Sequence, residues 1–384
     1  MAPGKKPIID LAPQVILTNS GVGFFMEKGH KLSKISMADG SVQYGVKLAK
    51  ISPTSFQHML RIGYLARLEV ARPEFTTVRS DLMDLSKLIV FGFLYRQFDQ
   101  LVFDMLIEST MIKEWNRANP GNIIDAQTKI NDTFLNDVLS KNSDQVKAIR
   151  KAITAPILEK VAGDKNLQAD EKNVMIFLTD RFLDHTRPFV WFILTRFSSY
   201  AEHKDLIQGL RKHLDLFIRR SRIADYITLL LMELAISAET LNMASFAEKT
   251  YGEGVDPQSL IFDPVKRESL LNAMVRANQD FTVAWRIGNP NASSIGTEKK
   301  LELTLYNREA EYLELKEKVE EKMKSGAGVS LRQFYTSTTA GNSEMGLLYL
   351  GYLQDECDKV GIRFTSRVGE ARSGIPSITL TVQF

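Results

Sequence analysis

The residues from Met345 to the last position, Phe384, constrain the fold most. Met345–Leu353 is an apolar run that fits a helix continuing to Lys359. Gly361 follows, and glycine takes the left-handed position that ends a helix without a Cβ clash. Ile362–Val368 and Ile375–Phe384 then read as two strands. In the second, Ile378, Leu380, Val382 and Phe384 alternate with polar residues, the period of a strand with one buried face. An irregular Thr/Gly segment, Thr336–Asn342, precedes the helix. Glycine loop, helix, strand and strand predict one half of an α/β sandwich.

The 384 residues suffice for two or three domains. A hydrophobic content of 44% and a charged content of 25% are ordinary globular values. The net charge of +3 gives no general case for nucleic acid. The one cysteine, Cys357, excludes an intrachain disulfide and a cysteine-based metal site, and fits a reducing compartment. MAPGKKPIIDLAPQ has lysines but no apolar stretch behind them, so no secretory signal is predicted. The most apolar runs, Leu88–Leu94 and Thr228–Ile236, are shorter than a membrane span. The expectation is a soluble cytoplasmic protein with no membrane span.

Residues 1–51 read as an arm and a small β module. Its strands are Val15–Thr18, Gly23–Met26, Leu32–Ser36 and Val42–Leu48, with a tight hairpin at Asp39-Gly40. His30 reads as a solvated loop histidine. Residues 52–222 read as a helical bundle beginning with an amphipathic helix over Phe56–Val70. Ser80–Ile107, Ile123–Leu139, Asp144–Val161, Asp170–Tyr200 and Lys204–Met243 follow, the last running past the bundle boundary. Such bundles commonly bind partners or dimerise. The basic run Arg211–Arg222 reads as a solvated helix face. Residues 223–384 hold a helix with Glu233 and Ser237 four apart on one face. A short helix (Pro264–Ala277), a strand from Phe281 ending in Gly288-Asn289, and a charged helix over Thr297–Lys324 precede the C-terminal segment. The fold class expected is α+β.

Taken together, the order from Arg222 to Phe384 resembles the histidine-kinase-like ATPase fold of sensor kinases, gyrase, Hsp90 and MutL. The resemblance rests on Glu233-Leu-x-x-Ser237-Ala238, the strand ending at Gly288-Asn289, and the box Gly341-Asn-Ser-Glu-Met-Gly346. It implies a site for ATP and magnesium, with Glu233, Ser237, Gly288, Asn289, Gly341 and Gly346 as nucleotide-binding residues. Three departures imply a degenerate module that binds nucleotide weakly or not at all. Ser237 stands where the family has a magnesium-binding asparagine, Asn289 where it has the adenine-binding aspartate, and Glu344 lies near a glycine position. The segment Asp184-His185-Thr-Arg187-Pro188 resembles a phosphoacceptor box, which makes His185 a candidate for phosphorylation. The function expected is regulation through protein partners, with homo-oligomerisation through the bundle and absent or very slow ATP turnover. A nucleotide-free adaptor is the alternative, and an active histidine kinase a further one.

Overall fold

The computed structural model describes residues 8–125, 127–128, 130–165, 167–252, 256–289, 300–325 and 345–384. In chain order the elements begin β1 (Gln14–Leu17), α1 (Asn19–Glu27), β2 (Ser33–Ser36), β3 (Val42–Lys47), α2 (Pro53–Arg61) and β4 (Leu65–Arg72). Helices follow: α3 (Arg79–Ile107), α4 (Thr110–Ala118), α5 (Asp132–Lys141), α6 (Ser143–Gly163), α7 (Ala169–His185), α8 (Pro188–Arg196), α9 (His203–Ser221), α10 (Ile223–Tyr251), α11 (Pro257–Phe262) and α12 (Pro264–Arg276). The chain closes with β5 (Phe281–Arg286), β6 (Lys300–Tyr306), α13 (Tyr312–Ser325), α14 (Met345–Lys359), β7 (Arg363–Glu370) and β8 (Pro376–Gln383). Two compact units result: residues 1–93 with 222–384, and residues 94–221.

The first unit is built on one eight-stranded sheet in the order β2-β3-β1-β4-β5-β6-β8-β7, every neighbouring pair antiparallel. One face is apolar. Leu68, Val283, Trp285, Leu303, Leu305, Ile378 and Leu380 are all buried on it. α10 contacts β5, while α13 and α14 contact β7. The alternation read in the last strand is the cause: side chains two apart share a face, so Ile378, Leu380 and Val382 point together. Fully burying each such side chain contributes roughly 1.5–3 kcal/mol. Gly361 has φ +65° just after α14, the helix-ending role expected of it. Asp39-Gly40 makes the expected hairpin turn, with Gly40 at φ +82° and Asp39 accepting from the Ser41 N–H.

The other face is polar. The register sets Arg67 beside Arg286 and Glu302, and Glu69 beside Ala284, Thr304 and Thr379. Arg67 is 4% exposed and is gripped by the carboxylates of Asp39 and Glu69, with the Tyr306 hydroxyl 3.3 Å away. Burial opposes the charged form of Arg67, yet the carboxylates outweigh it and raise its pKa. Burial pushes the Glu69 carboxyl up. It acts the same way on Asp39, but hydrogen bonds from Ser41 and Arg67 hold that carboxyl below its usual range. The sheet curls over this face: the Ser373 hydroxyl in the β7–β8 turn donates to Ala38 O in the β2–β3 turn at 2.8 Å.

On the helical side, Glu239 of α10 is 3% exposed and accepts from the Phe75 and Thr76 N–H groups at 2.9 and 3.1 Å and from Arg267 of α12. This carboxylate joins α10 to the turn that leads into α3. The second unit, residues 94–221, has an aromatic core. Phe98, Phe182 and Phe217 pack with centroids 5.0–5.7 Å apart. Pro188 opens α8, where its missing N–H costs nothing, and Phe189–Thr195 are all buried behind it. One helical stretch, His203–Tyr251, is long and apolar enough to cross a membrane by length and composition; 61% of its most apolar window is buried inside the protein.

Several expectations are corrected. Residues 1–51 are not a separate β module, because β1 pairs with β4, and β4 pairs with β5 of the C-terminal region. Gly23–Met26 lies in α1, which Thr18 caps by accepting from Gly21 N–H. Phe56–Val70 is not one helix: α2 ends at Arg61, Gly63 takes φ +73°, and β4 begins at Leu65. The bundle read as 52–222 therefore gives up β4 and the start of α3 to the sheet unit. Thr297–Lys324 is not one helix either. It holds β6, and α13 starts only at Tyr312.

Replacing Arg67 with Met should strand Asp39 and Glu69 as close, partly buried like charges. The expected loss is about 3–5 kcal/mol in unfolding free energy, read by urea denaturation with circular dichroism. A loss below about 1 kcal/mol, typical of a surface pair, would show that water screens the network.

Candidate functional site

The candidate site lies where α10 passes the end of β6. Ser237, Ala238 and Leu241 recur at helical spacing on α10 and line a cleft with Leu305 of β6, Asn307 and Ala310 of the following loop, and Pro376 and Ile378 of β8. The cleft encloses about 70 Å³. Its floor is fixed by the sheet register, which sets Leu305 beside Ile378 and Tyr306 beside Ser377.

Asn307 is the centre of this arrangement. It is 5% exposed, and its N–H donates to Pro376 O at 3.0 Å. Its side-chain Oδ1 accepts from Glu309 N–H at 3.2 Å, an Asx turn that reverses the chain after the strand. Glu309 is then clamped to α10 by the Ser245 hydroxyl and by Lys249 Nζ, the latter at 2.6 Å. Burial alone would raise the Glu309 pKa, but the Lys249 and Ser245 hydrogen bonds hold it below the ordinary carboxylate value. A β6–loop–α10 joint thus positions one hydroxyl, Ser237, and one carboxamide, Asn307, in a cleft whose other walls are apolar. Such a cleft can hydrogen-bond a small polar group. Among the described residues no charged side chain lines it, so those residues supply no charge to neutralise a triphosphate.

The remaining sequence candidates are placed as follows. Glu233 is half-buried on α10, one turn before Ser237. Gly288 follows β5 and donates its N–H to Ala66 O at 3.1 Å. Asn289 comes next and is exposed. Because β5 and β6 are antiparallel with Thr282 opposite Tyr306, Asn289 lies at the end of the strand pair opposite Asn307. The structure therefore separates Asn289 from Ser237, and of the residues expected at one nucleotide site Ser237 lines this cleft beside Asn307. Gly341, with Glu344, lies outside the described residues. Gly346 is in the first turn of α14, a helix that packs on α10. Cys357 on the same helix is buried, which pushes its thiol pKa up to about 12.

His185 ends α7 in the second unit, half-buried, its ring edge-on to Tyr95 at 5.9 Å. Its neighbours are structural: Asp184 pairs with Arg150, and Arg187 pairs with Asp99 at 2.6 Å and covers the Phe103 ring. No group of three or more His, Cys, Asp or Glu side chains able to hold a metal occurs among the described residues.

Sequence reading missed Asn307. The Glu/Lys-rich composition of 297–324 drew it into a helix, although Leu301, Leu303 and Leu305 alternate ahead of it as a strand would.

Sheet, covering helices and cleft define an α+β protein with a small, uncharged polar cleft at the end of a central strand. The chain belongs to the DUF8084 family, a family of unknown function whose model matches residues 4–384. It is 31% identical to an uncharacterized protein of Treponema pallidum (strain Nichols), over 99% of each chain. No solved structure matches it.

The low pKa of Glu309 has a sign that can be tested. A carboxyl whose folded pKa is depressed adds stability above its unfolded pKa near 4.5 and loses it as pH falls through the folded value. Lys249→Met removes the main donor, so its destabilising effect should be present at neutral pH and shrink below about pH 4. Thermal unfolding of both proteins across that range reads it; an effect independent of pH would mean that Lys249 acts through packing alone.

Proposed function

We propose that this chain is a regulatory protein built on a degenerate histidine-kinase-like ATPase module, which binds nucleotide weakly or not at all and acts through protein partners. One observation carries the reading: the Ser237–Asn307 cleft. In the family that the sequence resembles, a helix residue binds magnesium and an aspartate after a strand accepts the adenine amino group. Here Ser237 occupies the helix position, and Asn307-Arg308-Glu309-Ala310 follows the strand that shares the cleft. This replaces Asn289 as the counterpart of the adenine contact.

The chemistry of the cleft argues for degeneracy. A hydroxyl is a shorter and weaker magnesium ligand than a carboxamide oxygen. Asn307 brings no charge, and its oxygen already accepts from Glu309 N–H. A volume of about 70 Å³ holds roughly two waters, against at least roughly 300 Å³ for an ordinary ligand pocket. A nucleotide would have to open it, and the cost would fall on affinity. The partner role rests on the second unit. Val174 and Phe177, three apart on α7, are 51% and 56% exposed, an apolar stripe suited to a protein surface or a second copy. A nucleotide-free adaptor is favoured over weak binding if the cleft never opens.

Thermal shift of the whole chain with magnesium and ATP is the direct test. At about 1 mM ATP the melting temperature should rise by no more than about 1 °C, the stabilisation expected when the dissociation constant is near 1 mM or weaker. Ser237→Asn combined with Asn307→Asp should enlarge that rise. An unchanged response in the double variant would favour the adaptor. Steady phosphate release by the native chain, or label transferred to His185, would overturn the degenerate reading.

A further inference from the structure

At the other end of the sheet from the β7–β8 hairpin, a larger groove opens between α1 and strands β1 and β3. It encloses about 920 Å³, at the upper end of the roughly 300–1,000 Å³ of small-molecule sites. Three observations describe what would fill it. Its walls are largely apolar: Ile16, Leu17, Val22, Met26 and Leu32, with Tyr44 at the side. Met26 and Tyr44 are 63% and 57% exposed, so this apolar surface faces water as it stands. The charge at the groove is positive. Lys31 supplies it, His30 lines the groove beside it, and no acidic side chain lines the groove among the described residues. Lys28 and Lys34 stand next to it, their ammonium groups over the Phe24 and Tyr44 rings at 5.9 Å, with Glu27 at the end of α1 as the nearby acid in sequence.

The third observation is an unanswered acceptor. Gln43 lines the groove, and its buried Oε1 has no hydrogen-bond partner among the described residues. A buried acceptor left unpaired is costly, and a ligand donor would relieve that cost. The register separates it from the positive charge. Gln43 faces Ile35 in the β2–β3 ladder, and Lys31 lies just before β2, four residues ahead of Ile35; four residues of chain span at most roughly 14 Å.

We propose that this groove binds a free, single-chain small-molecule acid: an apolar body, an anionic group held by Lys31 and His30, and a hydrogen-bond donor at the far end that meets Gln43. The site is independent of the Ser237–Asn307 cleft and of the reading attached to it.

The test is isothermal titration of the whole chain with ω-hydroxydecanoate, decanoate and decanol, each below its micelle threshold. ω-Hydroxydecanoate should bind most tightly. Gln43→Leu should weaken it by about fivefold, to the level of decanoate. Lys31→Glu should weaken both acids by about tenfold and leave decanol unchanged. Lys31 is exposed and Gln43 half-buried, and unaltered melting temperatures without ligand will establish that the variants fold. No binding at about 1 mM, equal affinity for the three compounds, or indifference to both variants would overturn the proposal. So would co-sedimentation with phosphatidylglycerol vesicles without binding of the monomeric acids, which would make the face a membrane-docking surface instead.

Discussion

Arg67 sits in β4, the strand that joins the first three strands of the sheet to the last four, and its guanidinium has left water almost entirely. Moving such a charge into a protein costs several kcal/mol, and only well-placed partners offset it. Asp39 comes from the β2–β3 turn, Glu69 from β4 itself, and Tyr306 from the end of β6. A single cation therefore selects where a hairpin and one other strand must lie relative to β4. An apolar side chain there would pack as well but would not distinguish this arrangement from a slipped one. Glu239 acts similarly among the helices, taking donors from the turn before α3 and from α12.

How much of this was legible depended on whether an element had one wet face. β8 was readable because its polar residues alternate with Ile378, Leu380 and Val382. β4 was not. Leu65, Ala66, Arg67, Leu68, Glu69 and Val70 are all buried, so burial on both sides removed the period, and the charged pair within it looked like a helix surface. β6 was lost for a related reason, since its Glu302 pairs with its Lys300 and with Arg286 across the polar face. In the cleft, Ser237 was found because helix spacing is local. Asn307 was missed because its role depends on strand pairing between residues distant in the chain. Gln43 and Lys31 gave no signal in sequence; the pairing of β2 with β3, beside α1, brings them to one groove.

The two candidate sites use opposite solutions to the same problem. In the small cleft the polar groups are engaged by the protein itself: the Asn307 oxygen holds the turn that carries Glu309. In the groove beside α1 an acceptor is left over and, among the described residues, the charge has no counterpart within the lining. Satisfied polar groups stabilise a fold, whereas unsatisfied ones mark where a fold accepts something from outside.

The order of strands in the sheet also bears on how the chain is made. Leu68 pairs with Trp285, so β4 waits for its neighbour until almost three-quarters of the polypeptide has left the ribosome. Meanwhile the helices of 94–221, contiguous in sequence, are complete and can settle among themselves. Contacts this remote pay loop-closure entropy before they return any stabilisation. During synthesis β4, apolar on one side and charged on the other, is an open edge, the kind of surface that chaperones hold and that aggregation exploits. The charged face of β4 then has a kinetic use: Arg67, with Asp39 and Glu69, keeps that edge polar until the strand that covers it arrives.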